Sequence, residues 1–563
     1  MLKEKIRMKK CILIVFIAVF TLFRIWLGVN TPLLLQADAT CDDFLLVRYA
    51  VNMLTGNWLG GFESLTFAKS ASFPVVVALG YLCGIPYSAG LIISYIFAVA
   101  LLCIALFRLI PNRRFIVLTY LFLLYSPVMF HEENTQKLYR GGYIIVFSLI
   151  TIAAVIGIYT NIVQKEITLL KWSICGAVSL PVFWFLKEDS VWILPFVLGG
   201  LTCGGVKLFL SRKTAEHLRK RTFLLLFPLL ILCAVTFLYR CNNYRHYGQF
   251  AVTDRQDTYF GKMLGALIKI EDETTGRVWI TRKMLEKAMS ASPTLASVRD
   301  DIEDGYEKGY WVNNDGEVDG DLIIWALRQD FMDAGIYEKG GKYVNQFYRG
   351  IYEELENAFE TGTLKQTEGK LYISSITVGL TPNELISYYG TRLPGVLHMI
   401  AVYGENVTTI HPATGKYSDI MTMAGLANSK FTWPDAVNPL QSYDSTVVHI
   451  DTWITALYQK AGIPLAVAGI VGCLLLLVKV IKELLHQKVT ADSSVLLILI
   501  GLSVTCAIVI FGVMWFCNFL SARKVYDYVG VIIPIIEIIQ AAGIYYLLLH
   551  VRAALQRRKS WIK

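Results

Sequence analysis

Polar residues are scarce in this chain. Charged residues make up 17% of its 563 positions and hydrophobic ones 55%, which leaves too little polar surface to clothe an ordinary soluble domain. That shortage excludes a soluble globular enzyme and points to an integral membrane protein. The 11 cysteines lie mostly inside apolar runs, and the polar stretch after Cys241 has none before the next run. Neither a disulfide framework nor a CxxC metal site is written. HExxH, GxSxG and GxGxxG are missing, EKGGK around Lys342 lacks the spacing of a P-loop, and there is no internal repeat. The net charge of +9 does not mark a nucleic-acid binder, because the basic residues flank apolar runs instead of gathering with base-stacking aromatics.

What is present is a series of apolar runs, each long enough to cross about 30 Å of hydrocarbon as a helix. Only helices satisfy the backbone in lipid with this pattern. The expected spans are Cys11 to Val29, Ala89 to Ile110, Phe115 to Phe130, Gly142 to Thr160, Trp172 to Leu186, Val191 to Leu210, Phe223 to Tyr239, Ile463 to Leu485, Ser494 to Phe516 and Val529 to Leu549. The first is too long for a signal peptide h-region and reads as an anchor. Ser72 to Ile85 is apolar but short, and reading it as a re-entrant or interfacial helix gathers the basic PNRR, QKEITLLK, SRKTAEHLRKR, KVIKELLHQK and C-terminal tail on one side. Both termini are then expected inside, in a bacterial cytoplasmic membrane.

Three regions follow. Residues 1–239 form an N-terminal membrane region with about seven spans and a first outside loop at 30–88. Residues 240–462 form a mainly helical extracytoplasmic insert, and 463–563 carry three more spans and a basic cytoplasmic tail. The insert holds most of the acids. Its TPNEL at Thr381 has a capping-box pattern, and KYVNQFYRGIYEELENAF shows helical spacing up to a stop at Gly362. NNDGEVDGD imitates the start of a calcium loop with Asp315, Glu317 and Asp319, but Ala326 stands where the closing glutamate belongs, so it reads as an acidic turn capping the next helix. Asn406 opens an NVT sequon.

The outside ends carry the candidate chemistry. TCDDFLLVRYA begins a helix with Asp42 and Asp43, which suit an N-cap and a first turn, and equally a metal ligand or a group orienting an acceptor. Phe44, Val47, Val51 and Leu54 form the expected apolar face, with Arg48 and Asn52 looking away. Lys187, Glu188 and Asp189 end one span, where local pairing and contact with a lipid phosphate are both open. Arg523 and Lys524 pose the same choice, with arginine's planar fork well matched to phosphate. HEEN offers His131 and Glu132 as further metal ligands beside Asp42 and Asp43.

The order of these elements resembles the C-type glycosyltransferase superfamily, near the branch containing lipid A aminoarabinose transferases and protein O-mannosyltransferases. CDDFLLVRYAVNMLTGNW is similar to that family's outside acidic motif after the first span, with Asp in place of the usual Glu. KSASFPVVVALGYLCGI keeps Lys69 and Pro74 of a Lys-Pro-Pro element, WFLKEDSVWILP loosely matches a pattern like LTKGP through Lys187, and SARKVYDYVGVIIPII offers Arg523 and Tyr526. The resemblance implies an inverting enzyme that moves a sugar from a polyprenyl-phosphate donor to a glycan, lipid or protein acceptor at the outer face of the bilayer. It implies Asp42 or Asp43 as base, with or without a divalent cation and with no other cofactor, and Lys69, Lys187 and Arg523 around the departing phosphate. A non-enzymatic transporter or scaffold for lipid-linked glycans stays open beside it.

Overall fold

Apolar runs of lipid length satisfy their backbone groups as helices, and the long apolar runs of this chain are mainly helical. The structure, a computed structural model, describes residues 2–213, 216–272, 277–309, 311–404, 408–433 and 445–562. Among them there are helices and isolated bridges but no named strand. Ten helices are long and apolar enough to cross a membrane. The chain is an all-α, multi-pass membrane protein.

The N-terminal half runs α1 (Leu2–Asn30), α2 (Asp43–Leu54), α3 (Ser72–Leu82), α4 (Tyr87–Phe107), α5 (Arg113–Leu124), α6 (Glu132–Thr135), α7 (Gly141–Asn161), α8 (Glu166–Trp184), α9 (Leu194–Leu210) and α10 (Leu218–Tyr247). α3 is the short apolar helix expected within the first loop. Helix α7 is the hub of this half, packed by α4, α8 and α9.

Nine helices follow: α11 (Asp254–Asp257), α12 (Tyr259–Ile268), α13 (Arg282–Ala291), α14 (Pro293–Ala296), α15 (Arg299–Lys308), α16 (Leu322–Asp333), α17 (Gly341–Glu360), α18 (Pro382–Ala401) and α19 (Tyr417–Ala427). They divide by what they pack against. Phe260, Leu264, Trp279, Leu327, Phe331 and Ile351 belong to a core of α12 to α17. α18 and α19 instead add Val396, Ile400, Ile420 and Met423 to the core of the membrane helices. Thr381 and Glu384 make the capping box at the start of α18, and α17 stops just before Gly362, whose φ is 73°. In the calcium-like turn, Asp319 pairs with Arg277 and Glu317 accepts from the Arg282 amide at the start of α13, while Asp321, the last residue of the turn, takes the N-cap position of α16 without a side-chain capping bond.

The chain ends with α20 (Ser445–Leu485), α21 (Ala491–Phe516), α22 (Ala522–Val529) and α23 (Ile533–Ile562). Helices α10 and α20 both run well past the apolar limits of 239 and 463. Hydropathy marks where lipid ends, whereas the hydrogen-bond ladder continues into water wherever side chains pack on it. α20 and α23 make the most extensive helix pair, and they meet through glycine. A Cβ on Gly472 would lie 1.7 Å from the Gly543 carbonyl oxygen, and one on Gly543 would lie 2.1 Å from that of Gly469. Small residues let backbones approach where lipid supplies no hydrophobic drive. Gly543→Ala is expected to cost roughly 1–3 kcal/mol as overpacking, read as a lower unfolding temperature in detergent; an unchanged temperature would show that the crossing is slack.

Candidate functional site

The loop after α1 is held from two sides. Leu34 N–H donates to the Gln136 carbonyl at 2.8 Å, and Ala37 N–H to that of Thr414 at 2.9 Å. This fixes the start of α2 between the Gln136 segment and the insert. Asp42 takes the N-cap position of α2, yet its side chain makes no capping hydrogen bond. Its carboxylate turns instead to Lys69, whose Nζ donates to Oδ1 at 2.5 Å, and to Tyr139, whose hydroxyl donates to the same oxygen at 3.1 Å. Lys69 Nζ also reaches the Tyr139 hydroxyl at 3.2 Å. The lysine side chain is 8% exposed, but that of Asp42 is 53% exposed. A buried cation thus holds an accessible anion.

Electrostatics keep that anion charged. Burial alone would raise the Asp42 carboxyl, but Lys69, Arg140 and the Tyr139 hydroxyl outweigh it and hold the group below the ordinary carboxylate range. Burial and the like charge of Arg140 lower Lys69, with Asp42 working the other way.

Asp43 has the opposite fate. The buried face of α2 is Asp43, Leu45, Leu46, Val47, Tyr49 and Ala50, whereas Phe44, Val51 and Leu54 of the expected apolar stripe are only half-buried. Packing by the Leu45 and Tyr49 side rotated the helix from the face that spacing suggested. Asp43 is 2% exposed, its Oδ2 has no partner, and burial raises its carboxyl to about 7, with Lys137 opposing the rise. Its folded value lies above the unfolded one, so its stabilisation is complete below about pH 4 and is lost as pH rises through about 7. Asp43→Asn is expected to unfold at a higher temperature than the parent at pH 8, with the gap closing by about pH 4. A gap of the same size at both would contradict this.

The next layer is a buried ion pair. Arg140 Nη1 donates to both Glu188 oxygens at 2.8 and 2.9 Å, and the Ser70 amide donates to Glu188 Oε1 at 2.9 Å. Burial would raise Glu188, but Arg140 and Lys69 bring it down to about 2. The same contacts lock the Lys69 segment to the turn after α8, and Ser72 N–H adds a bond to the Phe185 carbonyl at 3.1 Å. In that turn Lys187 pairs with Asp189 at 2.7 Å and lies 5.3 Å from the Tyr528 ring centroid. Tyr528 is in turn within electrostatic reach of Asp321, Tyr139 and Asp42.

The insert closes the site. Gln256 donates to the Glu188 carbonyl at 2.6 Å. Trp325 of α16 joins the membrane-side core and stands 5.5 Å from Lys69 Nζ and 5.0 Å from the Arg255 guanidinium. Asp321 lies in the field of Arg255, Lys69 and Asp42. On the flank of α2 is an open cleft of about 330 Å³ lined by Arg48, Asn52, Gly60, Phe62 and Glu63, among others.

The other residues singled out from sequence lie elsewhere. His131 Nε2 is 3.6 Å from Asp527 Oδ1 while Nδ1 accepts from the Glu133 amide, and burial lowers its pKa. Glu132 accepts from the Thr409 hydroxyl at 2.6 Å. Among the described residues no three His, Cys, Asp or Glu side chains are grouped to hold a metal ion, so Asp42, Asp43, His131 and Glu132 do not form one ligand set. The Arg523 side chain and Asn406 lie outside the described residues.

No family model and no curated protein matches the chain.

Sequence reasoning missed Tyr139, Arg140, Arg255, Asp321 and Trp325. Only Arg140, a charge directly before the apolar run of α7, carried a local signal. Together the residues can take a proton at Asp42 and meet negative charge with Lys69 and its neighbours.

Proposed function

We propose that this protein is a membrane glycosyltransferase that moves a sugar from a polyprenyl-phosphate donor to a hydroxyl of a glycan, lipid or protein acceptor. The observation that carries this reading is the Asp42 carboxylate: free of the helix cap, ionised, accessible, and set directly against a buried lysine. The acceptor hydroxyl gives its proton to Asp42 as its oxygen bonds the anomeric carbon. The bond from that carbon to the phosphate oxygen breaks, and its electron pair leaves with the lipid phosphate. A single displacement of this kind inverts the anomeric centre. Lys69 and Lys187 meet the charge that develops on the departing phosphate, with Lys69 standing between it and the base that it already holds.

The cleft beside Arg48 and Asn52 offers the acceptor hydrogen-bonding groups next to an aromatic ring. We place this face outside a bacterial cytoplasmic membrane, with the basic loops and both termini on the cytoplasmic side. Because the lipid brings the activated sugar, the step needs no nucleotide.

For a transporter, ionisable groups should line a path through the bilayer. Arg24 does not serve that purpose, since its guanidinium donates to the Leu124 and Met129 carbonyls at 3.2 and 2.7 Å.

Mass spectrometry of envelope glycans, lipids and proteins from cells with the chain, without it and with Asp42→Asn tests the reading. Loss of one sugar from one acceptor class in the last two supports it; identical profiles in all three contradict it.

A further inference from the structure

We infer that Arg255, contributed by the insert, forms with Lys69 and the Trp325 indole a phosphate-binding subsite for the lipid donor. The inference rests on the glycosyl-transfer reading and deepens it, since it names the part of the donor that the insert recognises.

Three cations surround one ring: Lys69 Nζ at 5.5 Å from the Trp325 centroid, the Arg255 guanidinium at 5.0 Å and that of Arg328 at 5.5 Å. Two of them are paired. Lys69 holds Asp42 at 2.5 Å, and Arg328 holds Asp254 at 2.6 Å. Arg140, just behind, is paired with Glu188. Among the described residues Arg255 has neither an ion pair nor a side-chain hydrogen bond, and its Nε is buried without a partner. Asp321 is the largest opposing charge in its field, but no contact between them falls within bonding distance.

Arg255 is half-buried: its Nε is shut away, while its remaining donors have no protein partner among the described residues and stay open to a ligand. Its fork of donors matches two oxygens of a phosphate, and a cation–π contact with the indole steadies the group while leaving its N–H donors available. The segment is also held in place, because the next residue, Gln256, is bonded to the Glu188 carbonyl. The unpaired guanidinium is therefore fixed over the same ring as the lysine that holds the proposed base. A phosphate beside both would lie next to the reacting centre.

The probes are farnesyl phosphate and inorganic phosphate, titrated by calorimetry into the full chain in nanodiscs. Farnesyl phosphate is expected to bind the parent protein, and Arg255→Ala is expected to weaken it roughly ten-fold or more, with Arg255→Lys between them. If inorganic phosphate binds as tightly and with the same dependence on Arg255, the subsite recognises the free anion. If it fails to displace farnesyl phosphate, the lipid headgroup is the source. Should Arg255→Ala unfold, Arg255→Gln and Trp325→Phe carry the same comparison. Farnesyl phosphate affinity unchanged in the folded variants overturns the subsite. Sugar transfer measured in parallel separates the two ideas: binding that depends on Arg255 without any transfer overturns the transferase reading alone, and transfer with binding indifferent to Arg255 overturns the subsite alone.

Discussion

Asp42→Asn is expected to lower sugar transfer by roughly 10²- to 10⁴-fold, the range that a positioned general base supplies, while the protein stays folded. Asparagine has nearly the shape of aspartate, and its carbonyl oxygen can still accept from Lys69 and Tyr139, so the loop keeps its contacts. What it loses is the capacity to take a proton. The neighbouring Asp43→Asn is expected to retain most of the rate, because Asp43 is 2% exposed and turned into the core. The pH profile should follow. Asp42 is held below the ordinary carboxylate range, so its ionised form, and with it the rate, persists down through mildly acidic pH and fails only below the usual carboxylate value. Initial rates in membranes, corrected for protein amount, check both points.

Arg140→Met is expected to destabilise the protein by about 3–5 kcal/mol, because it leaves the buried Glu188 charge without its partner. Arg140 is 3% exposed, and it is the main attraction holding Glu188 down to about 2 against burial. Replacing both residues, Arg140→Met with Glu188→Gln, should restore part of the loss by removing the charge that was stranded. A double-mutant cycle of unfolding temperatures in detergent reads the coupling. Additive effects would show that the pair contributes little. The pH dependence has a definite sign: Glu188 is depressed, so its contribution is present above the unfolded carboxylate value and is lost as pH falls towards about 2.

How legible this was from sequence differs by element. The ten spans were legible because hydrocarbon thickness sets a minimum apolar length that few other segments reach. Their ends were less so: α10 reaches Tyr247 and α20 begins at Ser445, since polar residues carry a helix onward without any change in hydropathy that marks the join. Asp42 and Lys69 could be placed on the same side of the membrane from their motifs, and the structure joins them. Lys187 could also be placed there, but the turn carries Glu188 inwards to Arg140 and leaves Lys187 paired with Asp189; a turn shifts the inward direction by one residue, which no periodicity announces.

Tyr139 is 97 positions from Asp42, and Arg255 and Trp325 lie in an insert whose docking onto the membrane helices is a tertiary event. Nothing local in those stretches distinguishes them from other arginines and tryptophans. The rotation of α2 that buried Asp43 and left Asp42 accessible was hidden for the same reason, since packing partners chose among faces of similar apolarity.

The most direct measurement is release of polyprenyl phosphate from a mixed pool of labelled polyprenyl-phosphate sugars, with purified protein in liposomes that also carry envelope acceptors. The parent and Asp43→Asn proteins are predicted to release it with transfer of one sugar, and folded Asp42→Asn to release almost none. Equal release by all three, or none by the parent protein, would contradict a glycosyl transfer based on Asp42.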